Sequence, residues 1–329
     1  MRLAFLGSPP AAVPTLRALV RAGHDVALVV SGPDKRRGRG GARTPTPVKA
    51  AALELGLDVT DDLAAVATAG VELGVVVAYG KIISEALLEQ VPMVNLHFSL
   101  LPRWRGAAPV ERAILAGDDT TGVCVMDVAV GLDTGDVHAV ATVAIDDRIT
   151  AGELTGQLAQ AGAELLVDSL ESGLTRGVAQ SGDGVTYAHK ITTEDRRLDW
   201  SLPAAQLQRV VRIGGAWTTF GGDRFKVLSA TALSSAGSTA PNSTAPNSTT
   251  PDSSAPNWVA PAVVVPGTVH RTAVTCGDGD ALLLGTVQPQ GRAPMDASSW
   301  VNGARPDGKV LCAEPTEDRD PRLGAGHDG

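Results

Sequence analysis

Over its first 170 residues the chain alternates short β-branched and aliphatic runs with helical stretches, a rhythm that requires a mostly parallel sheet with helices as crossovers. Arg2 to Leu6 reads as a strand, followed by a helix from about Ala11 to Arg21 and a second strand from Asp25 to Val30. Further strands are predicted at Leu73 to Ala78, Met93 to Phe98 and Thr121 to Met126. Helices near Pro47 to Leu55, Ser84 to Gln90 and Ala107 to Ala116 fall between them. A long helix from about Ala151 to Leu170 closes the unit, its Ala, Leu and Val recurring at helical spacing. The reading is an α/β domain over residues 1–182.

Beyond it, residues 183–202 show no strong period and read as a linker. Ala204 to Ile213 is a short amphipathic helix, and Gly267 to Val274 and Ala281 to Val287 read as strands around the turn Cys276-Gly277-Asp278-Gly279-Asp280. A smaller C-terminal β-barrel over 203–311 is therefore expected. Residues 238–257 are four pentads, STAPN, STAPN, STTPD and SSAPN. They have almost nothing to bury, so they are expected to form a disordered insert, as is the acidic tail 312–329. No run approaches the ~18 apolar residues of a membrane span, and Leu3 to Leu6 is too short for a signal-peptide core, which predicts a cytoplasmic protein. Cys124, Cys276 and Cys312 are odd in number and far apart, so neither a disulfide framework nor a zinc site is suggested.

A net charge of -8 argues against coating nucleic acid by bulk charge. The charge is unevenly placed, however: residues 203–311 hold eight Lys/Arg against six Asp/Glu, and Lys35, Arg36, Arg37, Arg39 and Arg43 crowd into one Gly-rich loop. The first strand runs into Gly7-Ser8-Pro9 rather than G-x-G-x-x-G, and no G-x-x-x-x-G-K-[ST] occurs, which disfavours a dinucleotide oxidoreductase. The six histidines lack zinc-hydrolase spacing. More informative are Asn95 and His97, two apart on a strand and so on one face, near its C-terminal end, where open α/β sheets bind ligands. Asp133, within Gly131-Leu132-Asp133-Thr134-Gly135 after a later strand, can reach the same crevice. An amide donor, an imidazole and a carboxylate then share one site, although Asn-x-His alone equally suits a satisfied core pair.

The run Asn95-Leu96-His97-Phe98-Ser99-Leu100-Leu101-Pro102-Arg103-Trp104-Arg105-Gly106-Ala107-Ala108-Pro109, followed by Val130-Gly131-Leu132-Asp133-Thr134-Gly135-Asp136, resembles the folate-dependent formyltransferases. Pro33-Asp34 before a Gly-Arg-Gly loop, Thr46-Pro47-Val48-Lys49, Val77-Ala78-Tyr79-Gly80, Leu198-Asp199-Trp200 and Gln288-Pro289 resemble the branch that acts on the methionine carried by initiator tRNA. The resemblance spans roughly residues 2 to 305, the pentads apart. It implies a Rossmann-like formyltransferase domain with a smaller OB-like C-terminal barrel, 10-formyltetrahydrofolate as co-substrate, initiator methionyl-tRNA as acceptor, and no metal. Asn95, His97 and Asp133 would then be catalytic. Ser99, Leu100, Leu101 and Pro102, with Tyr79, Gly80, Lys81 and Ile83, would contact the folate. Arg36, Arg37, Arg39 and Arg43 would reach the tRNA acceptor end, the second domain would hold its outer arm, and one chain would act as a monomer. Phe98 departs from the small residue usual in the family; alternation points it away from Asn95 and His97. The rival readings are a formyltransferase of a sugar-nucleotide or ribonucleotide amine, a formyl-folate hydrolase, and a catalytically idle RNA-binding module.

Overall fold

The computed structural model of the chain describes residues 1–36, 41, 43–234, 258–261 and 263–312. The expected insert at 238–257, the tail after Cys312, and Arg37 and Arg39 lie outside the described residues. The chain divides into two units, Met1–Lys190 and Ile191–Gly329.

The first unit holds a sheet of β1 (Arg2–Gly7), β2 (Asp25–Val30), β3 (Val59–Thr60), β4 (Leu73–Val77), β5 (Met93–His97), β6 (Thr120–Asp127) and β7 (Val137–Ala144). Its spatial order is β7-β6-β5-β4-β1-β2-β3. Strands β5, β4, β1, β2 and β3 run parallel, whereas β6 and β7 run antiparallel to their neighbours. Progress across the sheet reverses at β1, because β2 and β3 lie on one side of it and β4 on the other. Such a reversal opens a crevice at the carboxyl ends of the strands.

Local signals explain the helices α1 (Val13–Arg21), α2 (Pro47–Glu54), α3 (Glu85–Leu88), α4 (Pro109–Ala116) and α5 (Ala151–Glu171). The Thr46 side chain caps α2 by accepting from Lys49 N, with Pro47 in the first turn. A Thr150–Glu153 capping box starts α5. Further along α5, a Cβ on Gly162 would come within 3.0 Å of Val123, so this glycine sets how closely the helix rides over β6. Strand β7 was not signalled in the sequence. Its residues alternate between half-buried and exposed, as an edge strand of small Ala and Val does, and so yield only a weak apolar pattern.

The second unit holds α6 (Ala204–Arg212), nine-residue and amphipathic, and short strands β8 (Trp217–Phe220), β9 (Asp223–Val227), β10 (Ala230–Leu233), β11 (Val269–His270), β12 (Ala273–Thr275), β13 (Ala281–Leu284), β14 (Thr286–Pro289) and β15 (Met295–Asp296), with α7 (Ala297–Ala304) at the end. They form two antiparallel sheets, β8-β9-β14-β15 and β10-β13-β12-β11, an arrangement consistent with a small OB-like barrel. The expected strand Gly267 to Val274 is two strands, broken where Arg271 adopts φ +55°. The expected strand Ala281 to Val287 is also two, because Gly285 turns the chain from one sheet into the other. A Cβ there would lie 2.6 Å from Ser229 Oγ. The segment expected as a linker is divided between the units: Tyr187–Ala188 pairs with Arg105–Gly106 in the first, and Leu198 and Trp200 are buried in the core of the second beside Phe225 and Trp300.

Burial raises the pKa of the Cys124 thiol, and burial together with the nearby Asp278 carboxylate pushes Cys276 up to about 12. Cys312 is exposed. A thiol reagent at neutral pH is therefore expected to modify Cys312 alone in the folded protein and all three cysteines after denaturation; rapid native reaction of Cys276 contradicts the core as described.

Candidate active site

Strand β5 ends at the carboxyl edge of the sheet, and its burial pattern shows why two polar residues can sit there: Met93, Val94 and Leu96 are buried around half-buried Asn95 and buried His97. In β6, Met126 faces Asn95 and Cys124 faces His97 in the ladder. Asn95 and His97 share one face of β5.

The His97 side chain is 5% exposed and the Asp133 side chain 17%. His97 Nε2 lies 2.9 Å from the Trp104 carbonyl, which can only accept, so this nitrogen carries a proton. The other nitrogen, Nδ1, then faces Asp133 Oδ2 at 3.5 Å. The ring thus keeps one nitrogen committed to a backbone carbonyl and the other beside a carboxylate. Asp133 Oδ2 is itself anchored, accepting from Gly106 N at 2.7 Å; hydrogen bonds to a charged acceptor contribute roughly 1.5–3 kcal/mol. Only a glycine fits at 106, where φ is +125° and a Cβ would lie 2.8 Å from the Ala188 carbonyl. Asp133 holds φ +49°, a left-handed conformation that costs on the order of 1–3 kcal/mol in a non-glycine residue and persists only where surrounding contacts impose it.

The loop that supplies the Trp104 carbonyl is itself tightly held. Ser99 is fully buried and its hydroxyl donates to Arg103 O at 2.6 Å. Arg103 donates to both oxygens of Asp118 at 2.9 and 2.7 Å, and Trp104 Nε1 donates to the same carboxylate at 2.8 Å. Trp104 N donates to Thr186 Oγ1 at 2.8 Å. Leu100 packs over Gly122, where a Cβ would lie 2.4 Å from its Cδ2, and the Leu101–Pro102 peptide is cis. Phe98 is buried, 9% exposed.

The sequence-derived catalytic residues therefore come together: Asn95 and His97 on one strand face, with Asp133 against His97. The other candidates are more dispersed. Tyr79 is buried among Leu6, Val30, Val66 and Val76 with Ile83 packed nearby, burial and the Asp61 and Asp62 charges raising its pKa. Gly80 and Lys81 are exposed, Lys81 Nζ lying 5.7 Å from the Tyr79 ring centroid. Arg36 pairs with Arg43 in an antiparallel ladder of two residue pairs, both exposed. Arg43 also lines a polar cavity of about 310 Å³ with Asp34, Lys49 and Asp61, at the carboxyl ends of β2 and β3. Sequence reasoning missed Asp118 and Thr186, which support the Trp104 loop, and Gln180, which touches the Asp133 loop. All three lie outside the spaced motifs, and nothing in their local pattern distinguishes them from surface residues. Among the described residues, no group of three or more His, Cys, Asp or Glu converges to hold a metal.

A family described as Formyl transferase matches residues 1–170, and one described as Formyl transferase, C-terminal domain, matches residues 190–305. The fold and site thus define a formyl-group transferase. Relatives include a methionyl-tRNA formyltransferase of Symbiobacterium thermophilum, 43% identical over 92% of this chain and 92% of that one. Those of Acidothermus cellulolyticus, 42% identical over 93% and 98%, and Jannaschia sp., 39% identical over 93% and 97%, are similar. The chain belongs to the methionyl-tRNA formyltransferase family. Among solved structures, an N-formyltransferase of Helicobacter canadensis in complex with folinic acid and dTDP-3-aminofucose superposes with TM-score 0.62 at 15% identity, covering 87% of this chain and 98% of that one. A methionyl-tRNA formyltransferase of Clostridium thermocellum gives 0.51 at 13%, covering 70% and 93%. These two likenesses concern the fold.

On β7, His138 faces acceptors on both sides, Asp127 Oδ1 at 2.8 Å from Nε2 and Thr175 O at 2.7 Å from Nδ1, which demands the doubly protonated ring. Burial opposes that charge, but the bonds to Asp127 and Thr175 and the Asp127 and Asp136 charges outweigh it and raise the pKa. The pair's stabilisation is therefore full below the ordinary value near 6.5 and is lost as pH rises through the raised one. The melting-temperature gap between wild type and His138→Gln is expected to be widest below pH 6.5 and to narrow above it; a gap independent of pH contradicts the charged pair.

Proposed function

We propose that the protein transfers the formyl group of 10-formyltetrahydrofolate to the free amino group of methionine on initiator tRNA, producing N-formylmethionyl-tRNA for translation initiation. The observation that carries this reading is the buried His97, its Nε2 committed to the Trp104 carbonyl and its Nδ1 facing the anchored Asp133, beside Asn95 on the same strand face. Similarity of about 40% to methionyl-tRNA formyltransferases over nearly the whole chain supports the acceptor.

Formyl transfer between two amine nitrogens is amide-type acyl transfer, and it develops negative charge on the formyl oxygen while the attacking amine must lose a proton. Asn95, half-buried near the end of β5, would present N–H donors to that oxygen. His97 takes the proton at Nδ1, and Asp133 orients the ring and stabilises the imidazolium so formed. As the tetrahedral intermediate collapses, the bond between the formyl carbon and folate N10 breaks while His97 returns the proton to N10, releasing tetrahydrofolate. An α-amino group with an ordinary pKa of about 8 is partly neutral at physiological pH, so proton removal during attack is the main demand on the residues.

The 10-formyltetrahydrofolate would lie along the Ser99 to Pro102 turn, with Tyr79, Gly80, Lys81 and Ile83 beyond the end of β4. Because Ser99 spends its hydroxyl on Arg103 O, its part is to shape the turn, while Leu100, Leu101 and Pro102 offer apolar surface. The tRNA acceptor end would meet the basic loop, represented among the described residues by Arg36 and Arg43, and the second unit would hold the outer arm. The protein would act as a monomer in the cytoplasm; no helix among the described residues is long and apolar enough to cross a membrane.

The deciding experiment is formyl transfer from 10-formyltetrahydrofolate to methionyl initiator tRNA, beside uncharged tRNA and water alone as acceptors. Product on the charged tRNA only is expected, and folate turnover without tRNA product moves the acceptor to a small amine or water. His97→Ala and Asp133→Asn are each expected to lower turnover by at least ~100-fold.

A further inference from the structure

We infer that Gln180 is a positioning residue for this reaction, clamping the loop that carries Asp133 onto the loop that surrounds His97. The inference rests on the formyl-transfer reading above. Gln180 lies beyond α5, far from both loops in sequence, and its half-buried carboxamide is used to its full capacity. Its Oε1 accepts from Arg105 Nε at 3.0 Å and Nη2 at 2.7 Å. Its Nε2 donates to the Asp133 carbonyl at 2.9 Å and to the Gly135 carbonyl at 2.8 Å. The orientation is unambiguous, because arginine only donates and carbonyls only accept.

Each of these bonds bears on the geometry of the site. The backbone of Asp133 is left-handed, and two donations from one amide, to its own carbonyl and to that of Gly135, hold it so. The other end of the carboxamide holds Arg105, whose neighbour Gly106 donates the N–H that fixes Asp133 Oδ2. Gln180 therefore grips the Asp133 backbone and, through Arg105, the strand residue that grips the Asp133 carboxylate. The segment delivering it is tied to the sheet edge: Val178 pairs with Val137, and Thr175 Oγ1 donates to His138 O at 3.0 Å.

Two variants separate the two ends of the clamp. Gln180→Glu keeps the length and the acceptors for Arg105 but replaces both donors with an oxygen aimed at two carbonyls. Gln180→Ala removes everything. Both are expected to lower kcat at least ~10-fold, since displacements of about 1 Å at a reacting group cost up to ~100-fold. KM for 10-formyltetrahydrofolate and for methionyl-tRNA should stay within about 3-fold of wild type, because the clamp does not touch surfaces assigned to either substrate. In histidine-labelled protein without substrates, the ring signals of His97 should move in both variants. Unchanged kcat, loss confined to KM, wild-type activity in Gln180→Glu, or unmoved His97 signals each overturn the role. A wild-type protein that fails to formylate methionyl-tRNA overturns the functional reading instead, and the His97 signals still test the clamp on their own.

Discussion

The Trp104 carbonyl decides what the site can do. By accepting from His97 Nε2 it fixes the ring's orientation and leaves Nδ1 facing Asp133. A backbone carbonyl cannot titrate or change its role as a side chain can. Its position depends in turn on Asp118, just after the Gly117 left-handed cap of α4, which receives Arg103 and the Trp104 indole together. The end of a helix thereby sets which ring nitrogen of His97 faces Asp133.

Around that fixed ring, burial and charge work against each other in a controlled way. His97 is nearly sealed from water, where a charged ring would be costly without a partner. Asp133 supplies the partner, and Gly106 N keeps the carboxylate in place. The distance of 3.5 Å between Nδ1 and Oδ2 leaves the two near enough for electrostatic support yet outside hydrogen-bond range. A proton gained at Nδ1 would draw them together, so the loop carrying Asp133 must be held near its working position beforehand.

Much of this was legible in the chain. The alternating pattern placed β1, β2, β4, β5 and β6 within one or two residues, and the period of two put Asn95 and His97 on the same face of β5. The bracketed Gly131 to Gly135 stretch pointed to Asp133. The resemblance of residues 95 to 109 and 130 to 136 to a family narrowed the chemistry further than spacing alone. What was hidden shares a physical cause. Strand β7 alternates small, half-exposed residues at a sheet edge, and the barrel strands are short and turn through Gly285, so neither produces a sustained apolar period. Asp118, Thr186 and Gln180 act through tertiary hydrogen bonds, which have no signature in local order.

The segment after α5 also governs when the site can exist. Trp104 is tied to Thr186 across 82 positions, Gly106 is packed on Ala188, and Gln180 reaches back to Arg105 and Asp133. As the chain leaves the ribosome, β5 and its histidine emerge first, but the contacts that align them cannot form until about residue 190 is free. The first unit can thus bury much of its sheet before the loops around His97 and Asp133 are aligned, and that alignment is complete only when its last residues are in place.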